Sequence, residues 1–200
     1  LQKRLLLAVT GFYFHLQNAI VRRQDENDAE YFINAGGTKQ WGLETVISAW
    51  IIPYRENRAV TSLQLSNAVT LSRFKFDNYI DGENNYSGNR LTGVPRQSVN
   101  SSVDLQFRGA WYIFAQHQYT AEIPLNDANT VFAKQYHLLQ AKVGFKNVYI
   151  GKQRLEIYAG IDNLLNQKYS LGNDLNAFGG RYFNAAATRN FYAGLLLKIE

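Results

Sequence analysis

The sequence predicts an all-β fold, an antiparallel up-and-down transmembrane β-barrel segment of about eight strands, spread over 200 residues. Three observations predict it. Apolar and polar residues alternate in long stretches, as they do when a strand has one greasy face and one wet face. The connections between those stretches alternate strictly between long and short. No apolar run approaches the ~18 residues that a membrane helix needs, whereas a tilted strand crosses in ~9–11 residues with only every second one apolar.

The strands are expected over 4–21, 31–52, 60–76, 95–108, 110–121, 135–149, 153–164 and 189–199. Pro95 suits a first strand position, where no ladder donor is lost. Asn34, Gly36, Gly37, Gly42 and Glu44 read as strand geometry, the glycines marking a bulge or a close backbone approach. Alternation is clearest in the later strands. Val99, Ser101, Val103, Leu105 and Phe107 oppose Asn100, Ser102, Asp104, Gln106 and Arg108. Leu139, Ala141, Val143 and Phe145 oppose Gln140, Lys142, Gly144 and Lys146, and Leu155, Ile157, Ala159 and Ile161 oppose Arg154, Glu156, Tyr158 and Gly160. At Asp162 this pattern breaks into the asparagine-rich "DNLLN", which reads as the strand leaving the membrane into a loop. The last strand returns to alternation, with Phe191, Ala193, Leu195, Leu197 and Ile199 on one side. Trp41, Trp50 and Trp111, with Tyr13, Tyr112 and Tyr149, suit aromatic girdles at the membrane interfaces.

An up-and-down sheet puts odd connections on one rim and even connections on the other. The loops at 22–30, 77–94, 122–134 and 166–188 therefore share a rim, opposite the short links at 53–58, Gly109 and Gly151. If the last strand ends in the periplasm, the long loops are extracellular.

Composition excludes several classes. The net charge of +5 is dispersed, with Lys3-Arg4 and Arg22-Arg23 the only adjacent basic pairs, so no nucleic-acid partner is expected. The absence of cysteine removes disulfides and thiolate metal sites. The chain has no methionine and opens without the apolar core of a signal peptide, so it reads as a segment of a larger protein. His15, His117 and His137 fall on separate strands without metal-ligand spacing and read as strand or rim residues. The acidic run Asp25, Glu26, Asp28, Glu30 lacks the glycine and terminal glutamate of an EF-hand and reads as a solvated loop. Gly36-Gly37-Thr38-Lys39 has the wrong spacing for a phosphate loop, and no serine sits in a nucleophile elbow. No catalytic residue, resident metal or cofactor is expected.

Three stretches together resemble the carboxy-terminal part of a TonB-dependent outer-membrane receptor. "INAGGTKQWGLETVISAW" is similar to that family's strand with NAG followed by GLE. "GNRLTGVPRQSVNSSVDLQF" matches its glycine, Pro-Arg and following strand. "IDNLLNQKYS" and "RYFNAAATRNFYAGLLLKI" match its NL-x-x-x-x-Y strand end, long loop, arginine and last strand. The chain departs from the family in finishing Ile199-Glu200 rather than on an aromatic.

The resemblance implies that 1–200 is the C-terminal portion of a barrel of about 22 strands around a plug domain absent from this chain. It implies a bacterial outer-membrane location, lipid contact, and uptake of a ferric siderophore or similar metal chelate. Coupling to the TonB energy-coupling complex would run through the missing plug. Cobalamin, sugars and other metals are alternative cargo. Tyr79, Tyr86 and Arg90 in the second long loop, and Tyr169, Phe178, Arg181 and Tyr182 in the fourth, offer aromatic faces and guanidinium groups suited to a bulky, planar, often anionic ligand.

Two further readings stay open at this stage. Eight strands also close a small barrel, either an outer-membrane protein or a soluble lipocalin-like binder with its apolar face inward. An outer-membrane enzyme would have to use His137 and Glu122, the only pair that could be nominated.

Overall fold

A computed structural model describes residues 4–27, 29–34, 36–151 and 153–198. Ile199, Glu200 and Asp28, which figure in the expectations above, lie outside the described residues. The strands in chain order are β1 (Leu5–Leu16), β2 (Ile20–Gln24), β3 (Glu30–Asn34), β4 (Thr38–Ile52), β5 (Val60–Phe76), β6 (Ile80–Asp81) and β7 (Asn84–Asn85). They continue with β8 (Gln97–Phe107), β9 (Trp111–Thr120), β10 (Ile123–Pro124), β11 (Phe132–Ala133), β12 (Tyr136–Ile150), β13 (Gln153–Asp162) and β14 (Asn190–Lys198). Eight of them form one antiparallel sheet in the order β1-β4-β5-β8-β9-β12-β13-β14. Each of these eight pairs with the next in that order, as an up-and-down topology requires.

The sheet is open. β1 and β14 stand at its two edges rather than pairing with each other, which overturns the reading of a complete eight-stranded barrel. The lipocalin-like reading falls with it, because an inward apolar face needs a closed barrel around it. Val9 pairs Thr45, which pairs Val69, which pairs Val99, and the same register continues through Tyr119, Ala115 and Ile113 to the outer strands. Along that face Leu7, Val9, Leu43, Ile47, Leu71, Val143, Ile157, Phe191 and Leu195 are all exposed, the last two by more than 70%. A single β layer has no second layer to bury such a face.

The sequence expectation for the first two strands needs correction. The stretches 4–21 and 31–52 are each broken, and their ends form a separate hairpin of β2 with β3. The physical cause is a pair of left-handed residues at the same level, Asn18 (φ 56°) and Gly36 (φ 67°). The Ala19 N–H donates to the Gly36 carbonyl at 2.8 Å, fastening the two departures together. A Cβ on Gly36 would collide with the backbone carbonyl of Asn78, so glycine is required there by space as well as by φ. Asp25 and Glu26 lie at the tip of this hairpin: Asp25 accepts the N–H groups of Asn27 and Ala29, both at 2.8 Å, and Arg22 pairs Glu30 at 2.9 Å.

The polar face carries rings laid on glycines. Tyr112 lies against Gly144, Tyr192 against Gly160 and Tyr158 against Gly194, each glycine directly opposite the aromatic residue on the neighbouring strand. A Cβ at any of the three would overlap the ring, so the glycines make room for flat side chains on the polar face. This corrects the girdle assignment. Trp41, Trp111 and Tyr13 are on the apolar face, but Tyr112 and Trp50 share the polar register with Gly144 and Gln64. Tyr149 joins them because a bulge between Phe145 and Val148 shifts the register, pairing Tyr149 with Arg154.

The two rims differ as expected. β8 and β9 meet at a tight turn in which Gly109 and Ala110 both have positive φ (90° and 67°), a geometry that follows the twist of the strands. The opposite rim carries the hairpins β2-β3, β6-β7 and β10-β11 and the long connection from Asn163 to Arg189.

Candidate functional site

The long loops pack into one body rather than standing as separate solvated fingers. Its apolar centre is the buried pair Phe76 and Tyr79, covered by Val21, Ile33, Tyr86 and Leu91. The rings pack in sequence at a tilt, Phe76 against Tyr79 at 4.8 Å and 55° and Tyr79 against Tyr86 at 5.2 Å and 58°. The core that a single sheet cannot make is thus built at its elaborated rim.

Asp127, 1% exposed, ties this body together. It accepts the Tyr79 hydroxyl at 3.0 Å, the Thr92 hydroxyl, and the Asn176 amide at 3.2 Å. Its backbone N–H donates to the Asn176 Oδ1 at 3.0 Å, and its carbonyl accepts from Asn89 at 2.8 Å. Three connections, those after β5, β9 and β13, meet at one carboxylate. The first hairpin is tied in through Arg22, whose carbonyl accepts from Asn176 and whose guanidinium reaches Asp174 at 3.6 Å. Asn129 adds a backbone-like clamp, exchanging hydrogen bonds with the N–H and carbonyl of Arg90 at 2.8 and 3.0 Å.

The seven residues singled out in the sequence fall into two groups. Tyr79, Tyr86 and Arg90 are brought together with their own loop body. The Arg90 side chain is 10% exposed, donates to Glu122 at 2.8 Å and lies over the Phe132 ring at 5.5 Å. Burial lowers its pKa from the ordinary value, opposed by the hydrogen bond to Glu122. Tyr169 also sits at the base of a loop, its ring 4.8 Å from Tyr136 and its phenol pushed up by burial. Phe178, Arg181 and Tyr182 lie on the outer turn of the fourth connection. Phe178, in a short 3-10 turn, is 48% exposed, Arg181 is exposed and Tyr182 is half-buried. Phe183, which the sequence reading passed over, is 55% exposed beside Tyr182.

The strand-end motif at Asp162 is a clasp. Asn163 and Asn166 are left-handed (φ 48° and 53°). Buried Asn163 accepts the Gln167 N–H at 2.9 Å and donates to the Gln167 carbonyl at 2.8 Å, closing a local turn. Arg189 then reaches back so that Nε and Nη2 both donate to the Leu164 carbonyl, at 3.0 and 2.6 Å. The arginine at the far end of the loop thereby closes the loop's base.

The histidines are placed by pairing rather than by sequence spacing. β9 and β12 bring His117 and His137 together with ring nitrogens 3.0 Å apart, and His15 contacts Asp77 at 3.1 Å. No group of three or more metal-ligating side chains occurs among the described residues. His137 and Glu122 have separate partners, His117 and Arg90.

An open antiparallel wall with a continuous apolar face, a polar face and one elaborated rim defines the class as a transmembrane β-barrel of the outer-membrane type. Residues 1–164 match the family described as TonB dependent receptor-like, beta-barrel, and the chain belongs to that family. Barrels of this family are outer-membrane proteins, and the family is one of transport receptors. Among solved structures, the siderophore receptor PiuA from Acinetobacter baumannii is similar over 99% of this chain and 27% of its own, with TM-score 0.70 and 19% identity. The ferric-catecholate import receptor Fiu from K12 E. coli is similar over 98% and 25%, with TM-score 0.68 and 19% identity. The copper transporter OprC is similar over 96% and 28%, with TM-score 0.69 and 12% identity. At these identities the likeness is one of fold. The chain spans little more than a quarter of the length of each.

Proposed function

We propose that this chain is the C-terminal portion of the barrel wall of a receptor that takes up a ferric siderophore or similar metal chelate across the bacterial outer membrane. The carrying observation is the exposed apolar face of an open eight-stranded sheet whose long loops are all knotted together at one rim. In this reading the apolar face meets lipid, the polar face with Tyr112, Tyr158 and Tyr192 faces a plug domain, and the knotted rim is extracellular. The plug and its contact with the TonB complex lie outside this chain. Chelate capture falls to the outer turn of the fourth connection, where Phe178, Arg181 and Tyr182 offer aromatic and cationic surface. Tyr79, Tyr86, Arg90 and Tyr169 support that surface by fixing the loop body beneath it.

The test is uptake of 55Fe-labelled ferric catecholate, ferric hydroxamate and ferric citrate by cells carrying the full-length receptor. Replacing Phe178, Arg181 and Tyr182 together by alanine is expected to reduce both surface binding and uptake of one of these chelates. Unchanged binding and uptake of every chelate that the wild type transports would overturn the loop assignment.

A further inference from the structure

Two histidines far apart in sequence meet where β9 and β12 run into the elaborated rim. Tyr119 stands opposite His137, and His117 opposite Leu139, so His117 and His137 are diagonal neighbours on one face of the sheet. That face is the apolar one, since Tyr119 also stands opposite Val99. Diagonal neighbours lie within reach of each other when their side chains are aromatic. Here His117 Nε2 comes to 3.0 Å from His137 Nδ1, with the two rings inclined by 22° and their centroids 5.2 Å apart.

The pair is held in place from outside. The Tyr119 ring packs against His137 at 4.7 Å, and the Tyr119 hydroxyl is itself fixed on Gln135 at 3.1 Å. The His137 N–H donates to the Gln167 Oε1 at 2.7 Å, which ties the start of β12 to the turn after β13. Both histidines are half-buried, and neither pairs with a carboxylate among the described residues. Their outer nitrogens, His117 Nδ1 and His137 Nε2, have no hydrogen-bond partner among the described residues. Moving the proton they share to an outer nitrogen therefore costs only the bond between the two rings. It frees both inner lone pairs for one shared ion.

We propose that His117 and His137 form a binding site for a divalent transition metal of tetragonal preference, Cu2+ above all, with water completing its coordination. At the 3.0 Å spacing, an ion about 2.0–2.1 Å from each nitrogen subtends an angle of roughly 90–97° between them. That is the angle between adjacent ligands of a tetragonal ion and falls short of the ~109° of tetrahedral zinc. Imidazole nitrogen suits copper and nickel, and Cu2+ heads the order of divalent affinities. Two protein ligands make the site an exchangeable one, unlike the closed four-ligand sites of structural zinc. A bound ion staples β9 to β12 at the base of the connection that carries Asp127. The site does not depend on what the receptor carries, because the pair lies on the apolar face.

The test is titration of the full-length receptor, in detergent and without an affinity tag, with Cu2+ alone, followed by electron paramagnetic resonance. The wild type is expected to bind one Cu2+ more than H117Q/H137Q does, with an axial spectrum that carries imidazole nitrogen couplings. H117Q and H137Q singly should each weaken this ion roughly tenfold or more, whereas H15Q should bind as the wild type does. Zn2+ should bind more weakly than Cu2+. Equal copper binding and equal spectra in the wild type and H117Q/H137Q overturn the site, and Zn2+ binding at least as tightly as Cu2+ overturns its tetragonal assignment. Hydrogen exchange in the wild type gives a reading that needs no variant, should an altered heat-modifiable mobility mark the variants as misfolded. Added Cu2+ should slow exchange over 116–120 and 136–140 together, and copper binding that leaves both segments unchanged overturns the placement at this pair.

Discussion

The hydroxyl of Tyr79 donates to Asp127 at 3.0 Å across 48 residues of sequence, joining the connection after β5 to the connection after β9 inside a buried site. Asp127 also accepts from Thr92 and Asn176, so its loss unties three connections together. Asp127→Ala in the full-length receptor is expected to cost about 1–3 kcal/mol, because buried donors lose their acceptor. Hydrogen exchange should then rise together over 77–96, 121–135 and 163–189. Tyr79→Phe should cost less, about 0.5–1.5 kcal/mol. Faster exchange in only one of the three segments would refute the knot.

Arg189 closes the base of the fourth connection by donating twice to the Leu164 carbonyl. Arg189→Met keeps the apolar stem but removes both hydrogen bonds, at an expected cost of about 0.5–1.5 kcal/mol, since water can replace an exposed donor. Exchange at Leu164 to Gln167 should quicken while the interior of β13 stays protected. Exchange indistinguishable from wild type in that segment would dismiss the clasp.

On the polar face, Gly160→Ala sets a methyl group into the Tyr192 ring and Gly194→Ala one into the Tyr158 ring. Each is expected to destabilise by about 1–3 kcal/mol. Combining Gly160→Ala with Tyr192→Ser should cost less than the sum of the two single changes, since the ring that clashes is gone. Additive costs in urea-induced unfolding of the full-length receptor would argue against the ring-on-glycine bed.

Asp77 lies just beyond β5, where it receives the hydrogen bond of Lys39 and contacts His15. The Lys39 hydrogen bond, followed by its charge, lowers the Asp77 carboxyl below the ordinary 3.8. The folded form therefore binds this proton less readily than the unfolded form does. The contribution of the Lys39–Asp77 pair is present above the unfolded value and is lost as the pH falls through the folded one. Protease sensitivity at the β5 loop base should be flat from pH 7 to pH 5 and rise only in strong acid. Asp77→Asn should remove that acid step, and persistence of the step in this variant would assign it to another group.

The outer turn and the loop body should separate by readout. Phe178→Ala with Tyr182→Ala is expected to weaken chelate binding without changing heat-modifiable mobility. Arg90→Ala is expected to loosen the loop body first, because it leaves Glu122 without its partner and removes the cation over the Phe132 ring. A purely binding defect in Arg90→Ala would move that residue from support to ligand contact.

Most of the sheet was legible because a strand with one lipid-compatible face writes its period into the sequence. Val99 to Phe107 and Leu155 to Ile161 announce both their strands and their faces without reference to any partner. The alternation of long and short connections likewise gave the topology, and with it the rim on which every long loop would gather. Three chain motifs also gave the family. The hairpin of β2 with β3 was hidden because 4–21 and 31–52 each keep strand-like composition up to the polar loop between them. The departures at Asn18 and Gly36 are single residues whose left-handed φ no pattern announces. Tyr112 and Tyr149 were assigned to the membrane girdle because an aromatic ring suits either face. Only the register, and for Tyr149 a bulge, turns them to the polar face.

By itself, then, the sequence determined that this chain alternates as an antiparallel wall, has one elaborated rim, and carries aromatic and cationic residues in its long loops. Tertiary structure decided which of those residues face outward. Tyr79, Tyr86 and Arg90 were consumed in packing and pairing, whereas Phe178 stayed exposed. Tertiary structure also brought His117 to His137 and made Asp127 a hub. The physical reason is range. Strand alternation is set by neighbours along the chain, whereas the partners of a loop carboxylate or a rim cation come from strands dozens of residues away, and no local pattern records them.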